Sequence, residues 1–433
     1  MKSFAGPSSM RDDVAILSIA LLPLWWIAGV DFIIYHLVAL WLIYKAPIVL
    51  KPRDALHFSL LLLIFALTVS LIISVFGGDT DSFRMIAALN NVSIIGVGYV
   101  YYGHIRKRLD VDGNYVKLIW KAGFIIACMF IVVALSLSTT VMRGGAPEIS
   151  VPTLFGLAVP KLPGLLGTYQ RAYFVSADWF GGDNTPRLFI FAPFATGSAV
   201  VAAITGYMGY AHLQTKRAWA RLLFLGLIFL AVALTLTRGA IAALVLGFAF
   251  LAFLRIGKLA LLLLIVALPF LIVLSIAVLP SYFDQVLEMR EGSSNLRLLI
   301  YRMSFEMVVD NNPLFGLGVK PREDSLGIPI GSHSTFLSVL VRGGFVSFFI
   351  AISAFVIVPL KRLLGFSVLR GVKKTYDQRI VAGTIMGGYI SCLAFLILQD
   401  VDAYASIGVL IMVFLSVIMA LSAPNARLRS YHV

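Results

Sequence analysis

The sequence predicts an all-α, polytopic integral membrane protein, and three observations lead there. Of 433 residues, 60% are apolar and only 13% are charged, about half the charged fraction of a soluble domain. Mean hydropathy is +0.95. The apolar residues come in runs of about 16–25, long enough to cross a bilayer core of ~30 Å as helices. The short alternating segments of a membrane β-barrel are absent from the pattern.

The apolar runs fall at about 14–30, 32–44, 57–76, 84–103, 117–141, 188–211, 219–237, 239–254, 259–279, 334–360, 379–398 and 404–422, giving about 12 transmembrane helices. The connections between them alternate in character. One set is basic: Lys45 to Arg53, His104 to Lys117, Lys216 to Arg221, Arg255 to Lys258, Lys361 to Arg379, and the tail with Arg427 and Arg429. The other set is poor in lysine and contains both long connections, 142–187 and 280–333. Lysine and arginine are retained on the cytoplasmic side, so the basic set and both termini are expected to face inward. The net charge of +14 is then a topology signal, and nucleic-acid binding is not needed to explain it. The polar start, 1–13, leads into an apolar run with no small-residue cleavage site, so no removed signal peptide is expected. Cys128 and Cys392 both lie in apolar runs, outside any metal or redox spacing.

The whole chain, 1–433, reads as a single transmembrane domain. Its working part is expected at 280–344, a polar interruption opened by arginine and closed by histidine. Within it, 293–310 reads as an amphipathic helix with a serine start. Arg297, Tyr301 and Ser304 follow at i, i+4 and i+7 and share one face. Arg302 and Glu306 occupy another face, at the spacing of a surface ion pair. Asn312-Pro313 stops the helix, and Gly316 and Gly318 supply a turn.

Arg238 has a different origin. It divides the stretch between Arg221 and Arg255 into two arms of about 16 residues, each roughly 24 Å long and short of the ~30 Å core. A guanidinium held near the outer boundary in this way needs a hydrated recess or an anionic partner. In the other long connection, Arg171 follows Gly167-Thr168-Tyr169-Gln170, and Arg187 abuts the sixth apolar run at its outer end.

Among six histidines, only His333 sits where an outer connection meets an apolar run. An imidazole titrating near 6.5 can take a proton from an attacking hydroxyl at neutral pH; an interfacial histidine bonded to a loop carbonyl is the plainer alternative. No zinc site is expected, for lack of a second histidine or cysteine at ligand spacing on that face. Two pairs, Asp79-Thr80-Asp81 and Asp400-Val401-Asp402, have the composition of a weak Mg²⁺ or Mn²⁺ motif and equally that of ordinary loops.

Three of these stretches together resemble the O-antigen ligase and polysaccharide polymerase family of bacterial membrane proteins. They are Leu236-Thr237-Arg238-Gly239-Ala240, Asn295-Leu296-Arg297 followed by Asn312-Pro313-Leu314-Phe315-Gly316-Leu317-Gly318, and Ser332-His333-Ser334-Thr335-Phe336-Leu337 with Gly343-Gly344. One departure stands out: the family often has asparagine after the histidine, where this chain has Ser334. The resemblance implies transfer of an oligosaccharide from undecaprenyl diphosphate to a hydroxyl acceptor at the periplasmic face of the bacterial inner membrane. It implies an inverting, metal-independent glycosyltransferase without a cofactor. His333 would be the general base and Arg238 and Arg297 would bind the diphosphate, with Arg187, Arg171, Tyr301 and Arg302 as further substrate-binding candidates. The leading expectation is a polymerase that joins lipid-linked repeat units into exopolysaccharide or O-antigen. A ligase moving the finished glycan to lipid A core is the alternative within the family, and a glycolipid transporter or flippase the alternative outside it. Membrane lipid and the lipid-linked oligosaccharide are the expected partners, with a repeat-unit flippase and a chain-length regulator as candidate protein partners.

Overall fold

The computed structural model describes residues 13–77, 82–112, 114–142, 148–161, 167–177, 186–256, 291–322, 329–365, 376–398 and 404–421. In chain order these form α1 (Val14–Ala20), α2 (Leu22–Ala28), α3 (Asp31–Lys45), α4 (Ala55–Phe76), α5 (Ser82–Val111), α6 (Tyr115–Ser136) and α7 (Ser138–Met142). Then follow β1 (Ile149–Pro152), α8 (Leu154–Ala158), β2 (Arg171–Ala177) and β3 (Pro186–Leu188). The remaining helices are α9 (Ala195–His212), α10 (Ala218–Ala233), α11 (Arg238–Ile256), α12 (Glu291–Asn311), α13 (Thr335–Ile352), α14 (Val358–Gly365), α15 (Tyr376–Leu398) and α16 (Ala405–Leu421). Each predicted apolar run among the described residues contains helix, though not always along its full length; the run 259–279 lies outside them. By length and composition, the helices at Ala55–Phe76, Ser82–Val111, Tyr115–Ser136 and Thr335–Leu363 could each cross a membrane. Shorter apolar helices lie at Ala218–Ala233, Gly239–Ala249, Thr384–Ile397 and Ala405–Ala420.

The bundle is organised around α9, whose residues are buried on every side. A helix apolar all round belongs in a core, and its many alanines and glycines let neighbours approach closely. The tightest crossing joins α11 to α15: a Cβ on Gly247 would come within 2.5 Å of the Gly387 carbonyl and 2.1 Å of the Tyr207 hydroxyl. Around that crossing Ser391 Oγ donates to the Ala243 carbonyl at 2.8 Å and Tyr207 to the Leu244 carbonyl at 3.1 Å. These two polar side chains inside the bundle are thus satisfied by backbone carbonyls of the neighbouring helix.

The connections predicted to share the inner side do meet. Asp13 caps α1 through Ala15 N at 3.0 Å and receives Tyr115 Oη at 2.9 Å, His104 at 3.2 Å and Arg108 at 3.3 Å. Burial pushes the Asp13 carboxyl up, but the hydrogen bonds and charge around it, His104 foremost, outweigh that and hold it below its ordinary value of 3.8. Beside it, Asp54 accepts from Tyr102 Oη at 2.6 Å and pairs with Arg106. Residues from the start of α1, the α3–α4 connection and the α5–α6 connection therefore form one charged cap.

Three expectations need correction. The long connection 142–187, expected to be loop, contributes three strands to an antiparallel sheet in the order β1-β2-β3. The β2 sequence Arg-Ala-Tyr-Phe-Val-Ser-Ala has the β-branched and aromatic content of a strand but is too short to stand out beside apolar helices. The sheet rests on the α2–α3 corner, with Trp26 edge-on to Phe174 at 5.1 Å and Phe32 against Tyr169 at 4.8 Å. Second, the run 188–211 enters as buried non-helical chain, a strand end followed by bends, and its helix begins only at Ala195. Third, 334–360 is not one straight span. Gly344 has φ 62° and ψ −166°, and the rings of Phe336 and Phe348 lie 6.5 Å apart, where a straight helix would separate them by about 18 Å. Thr335, Val339 and Phe355 also line a single crevice. The first arm, 335–343, folds back along the chain that follows Gly344.

Candidate active site at the histidine turn

Only glycine can make the turn at Gly344 without strain: a Cβ there would meet the Leu314 carbonyl at 2.3 Å and Gly316 N at 2.6 Å. The predicted Gly316–Gly318 turn packs into this corner, both residues with positive φ. Leu317 N donates to the Val341 carbonyl at 2.8 Å and Gly318 N to the Arg342 carbonyl at 2.9 Å. Phe345 N returns a bond to the Pro313 carbonyl at 2.8 Å. From α4, Ser70 Oγ shares its proton between the Phe315 and Arg342 carbonyls. The glycines therefore serve as a lock between the end of α12 and the corner of α13.

That lock lays α12 alongside the first arm of α13. Val308 packs with Ile330, Leu340 and Val341 in a small apolar core of its own. One face of α12 then meets the turn that carries the histidine. Ser304 Oγ accepts from Gly331 N at 2.9 Å and donates to the Ile300 carbonyl at 2.5 Å. One turn earlier, Tyr301 Oη donates to the carbonyl of His333 at 3.0 Å. Burial pushes the Tyr301 phenol up from its ordinary value, and the charge of Arg297 pulls against that shift, so the guanidinium one further turn along acts on the same place. The shared face predicted for Arg297, Tyr301 and Ser304 is the face that holds His333.

The histidine itself is strained. His333 has φ 66°, a left-handed conformation that costs a residue with a Cβ roughly 1–2 kcal/mol. The turn is held from several directions: Gly331 at φ 81°, Ser332 Oγ donating to the Pro329 carbonyl at 2.5 Å, and the two α12 contacts. Ser334 N-caps α13, its Oγ facing Leu337 N at 3.4 Å. Serine and asparagine are comparable N-caps, so Ser334 starts the helix as well as an asparagine would.

The other predicted residues sit elsewhere. Arg238 begins α11, following the buried Thr235 and Thr237 and the left-handed Leu236 at φ 52°; the position of its side chain lies outside what the structure describes. Arg187 is buried on β3, opposite Ser176 of β2, in the segment that leads through left-handed Phe191 (φ 61°) into α9. Arg171 is exposed at the other end of β2, opposite Pro152 of β1, so the two loop arginines lie near opposite ends of β2 and on opposite sides of it. Arg302 points away from the histidine, exposed and 2.7 Å from Glu306, as its spacing predicted. The two Asp-x-Asp pairs lie outside the described residues. Among the described non-glycine residues, positive φ occurs at Phe191, Leu236 and His333, each within four residues of a predicted site residue. Such outliers gather where function holds the backbone.

Ser304 and Gly344 build the site as well, beyond the residues whose chemistry the sequence singles out. The signal was present: Ser304 shares the helical register of Arg297 and Tyr301, and Gly343-Gly344 interrupts an otherwise apolar helix.

No curated protein matches the chain. Residues 222–352 match the family model described as O-antigen ligase. That stretch contains Arg238, Arg297, Tyr301, Ser304, His333 and the Gly344 corner, while Arg171 and Arg187 precede it. Over the segment that builds the histidine turn, the chain is therefore similar to the O-antigen ligase family.

Proposed function

We propose that this chain is a polymerase that joins undecaprenyl-diphosphate-linked oligosaccharide repeat units en bloc, at the periplasmic face of the bacterial inner membrane. The observation that carries the reading is the contact between Tyr301 and His333, which ties the arginine-bearing face of α12 to a strained, immobilised histidine. In the reaction, an acceptor sugar hydroxyl attacks the anomeric carbon of the donor from the side opposite the diphosphate. The new glycosidic bond forms as the carbon–oxygen bond to phosphate breaks, and the configuration inverts. The hydroxyl proton passes to the imidazole of His333, and undecaprenyl diphosphate leaves with the bonding electron pair.

Charge builds on the leaving diphosphate in the transition state, where preorganised cations lower the barrier. Arg297 and Arg238 supply permanently charged, bidentate forks for that purpose, so the mechanism calls on no metal. Tyr301 and Ser304 act as positioning residues. In this reading Arg171, exposed on the sheet, and Arg187, buried on β3, are further glycan-binding residues. Arg302 is held by Glu306 and serves the substrate only at the rim. With the alternating connections, this reading puts about twelve spans in the membrane, both termini inside, and the two long connections in the periplasm. A flippase that delivers repeat units and a regulator of chain length are its natural companions.

The test is the His333→Ala variant. Chain extension in cells should cease while the protein still accumulates in the membrane, and polymer of normal length would refute the base assignment. Supplying the purified protein with lipid-linked donor and either a second lipid-linked repeat or lipid A core as acceptor decides between polymerase and ligase.

A further inference from the structure

The outward side of α12 differs from the side that faces the histidine turn. Its buried side is Ile300, Ser304 and Val308, all fully enclosed. A second stripe is apolar yet uncovered: Leu298, Phe305 and Val309, at i, i+7 and i+11, are 69%, 51% and 43% exposed. Helical periodicity puts these three on one line. Arg302 lies beside this line, and its ion pair draws the guanidinium toward Glu306, which with the exposed Asp310 marks the polar edge further round the helix. The apolar stripe does not end at α12. The Phe305 ring meets Phe345 edge-on at 6.1 Å, and Phe345 stacks with Phe349 at 6.2 Å. Phe349 and Val346 are themselves exposed, on the arm of α13 after Gly344 that belongs to an apolar helix of membrane-spanning character.

We infer that the Leu298–Phe305–Val309 stripe of α12 is immersed in the lipid of the outer leaflet. The helix would lie in the membrane interface with Arg302 and Glu306 at headgroup depth. The apolar surface is continuous with the lipid-facing side of α13, and a lipid surface is the partner that covers both without a seam. An isolated apolar stripe in water would be an aggregation hazard, whereas a helix with one apolar and one charged flank suits the bilayer interface. The inference stands on the membrane reading of the chain and not on the chemistry proposed for His333. A consequence that does rest on that chemistry is an entrance from the lipid side, since Arg297 and Tyr301 lie one face around from the immersed stripe.

The experiment uses the full chain with Cys128→Ser and Cys392→Ser, reconstituted in phosphatidylethanolamine and phosphatidylglycerol bilayers. Single cysteines at 298, 305, 306, 309 and 310 carry a nitroxide, and collision rates are measured with oxygen and with a water-soluble nickel chelate. The ratio of oxygen to nickel collisions should be at least threefold higher at 298, 305 and 309 than at 306 and 310. Equal nickel access at all five positions would overturn the inference by placing the helix in water. Shielding of 298, 305 and 309 from both reagents would overturn it by revealing a protein cover. Phe305→Trp in the chain with its native cysteines gives an independent reading. Brominated lipid should quench its emission beyond the background of the six native tryptophans, and quenching no greater than that background overturns the inference as well.

Discussion

Replacing Tyr301 by phenylalanine removes one hydroxyl and leaves the ring in place. What is lost is the 3.0 Å bond to the His333 carbonyl, a net ~1 kcal/mol for a bond of this kind. The left-handed His333 carries a comparable strain, ~1–2 kcal/mol, so the turn is held against a force of similar size. A change of about 1 kcal/mol shifts a two-state balance roughly fivefold, and turnover of Tyr301→Phe should fall about 3- to 10-fold. Ser304→Ala should do more. It leaves the buried Gly331 N–H, now bonded at 2.9 Å, without its acceptor, at ~1–3 kcal/mol. Because both side chains hold one turn, the double variant should lose less than the product of the single losses, with a coupling of at least ~0.5 kcal/mol. The assay is chain joining by purified protein on a lipid-linked donor, with Tm measured in parallel to separate local from global effects. Wild-type turnover in the double variant, or activity losses that simply follow Tm, would refute the claim that α12 positions the histidine.

Three further outcomes are expected. Arg297→Lys keeps the charge but loses the planar fork, so donor turnover should drop at least about tenfold with little change in Tm; full activity would make Arg297 merely a solvated cation. Gly344→Ala forces a Cβ to within 2.3 Å of the Leu314 carbonyl at a left-handed position, so the protein should accumulate poorly or melt well below wild type, as read by detergent-solubilised yield and Tm. Asp13→Asn removes a carboxylate whose pKa is held below 3.8 in the folded protein. A lowered acid pKa contributes stability above the unfolded value that is lost as pH falls through the folded value. The variant should therefore melt lower at pH 7, by an amount equivalent to ~1–3 kcal/mol, and the two melting curves should converge as the pH is taken below 3.8. A gap that stays constant with pH would show that the Asp13 carboxylate does not hold the inner cap.

The amino-acid sequence by itself determined the helical membrane class, the position of nearly every apolar helix, and the one face shared by Arg297, Tyr301 and Ser304. These are local or periodic properties: run length matches a bilayer, and a 3.6-residue repeat puts i, i+4 and i+7 together wherever the helix ends up. The ion pair of Arg302 with Glu306 was legible for the same reason. Tertiary structure alone decided what that face touches. His333 follows Tyr301 by more than thirty residues, and no periodicity relates them; they meet because Gly344 reverses the chain and Gly316–Gly318 fill the corner left by its missing Cβ. The outer sheet, too, depended on pairing between segments distant in sequence. Whether a strand forms is settled by the partner that satisfies its backbone hydrogen bonds, and that partner is chosen only when the chain has folded.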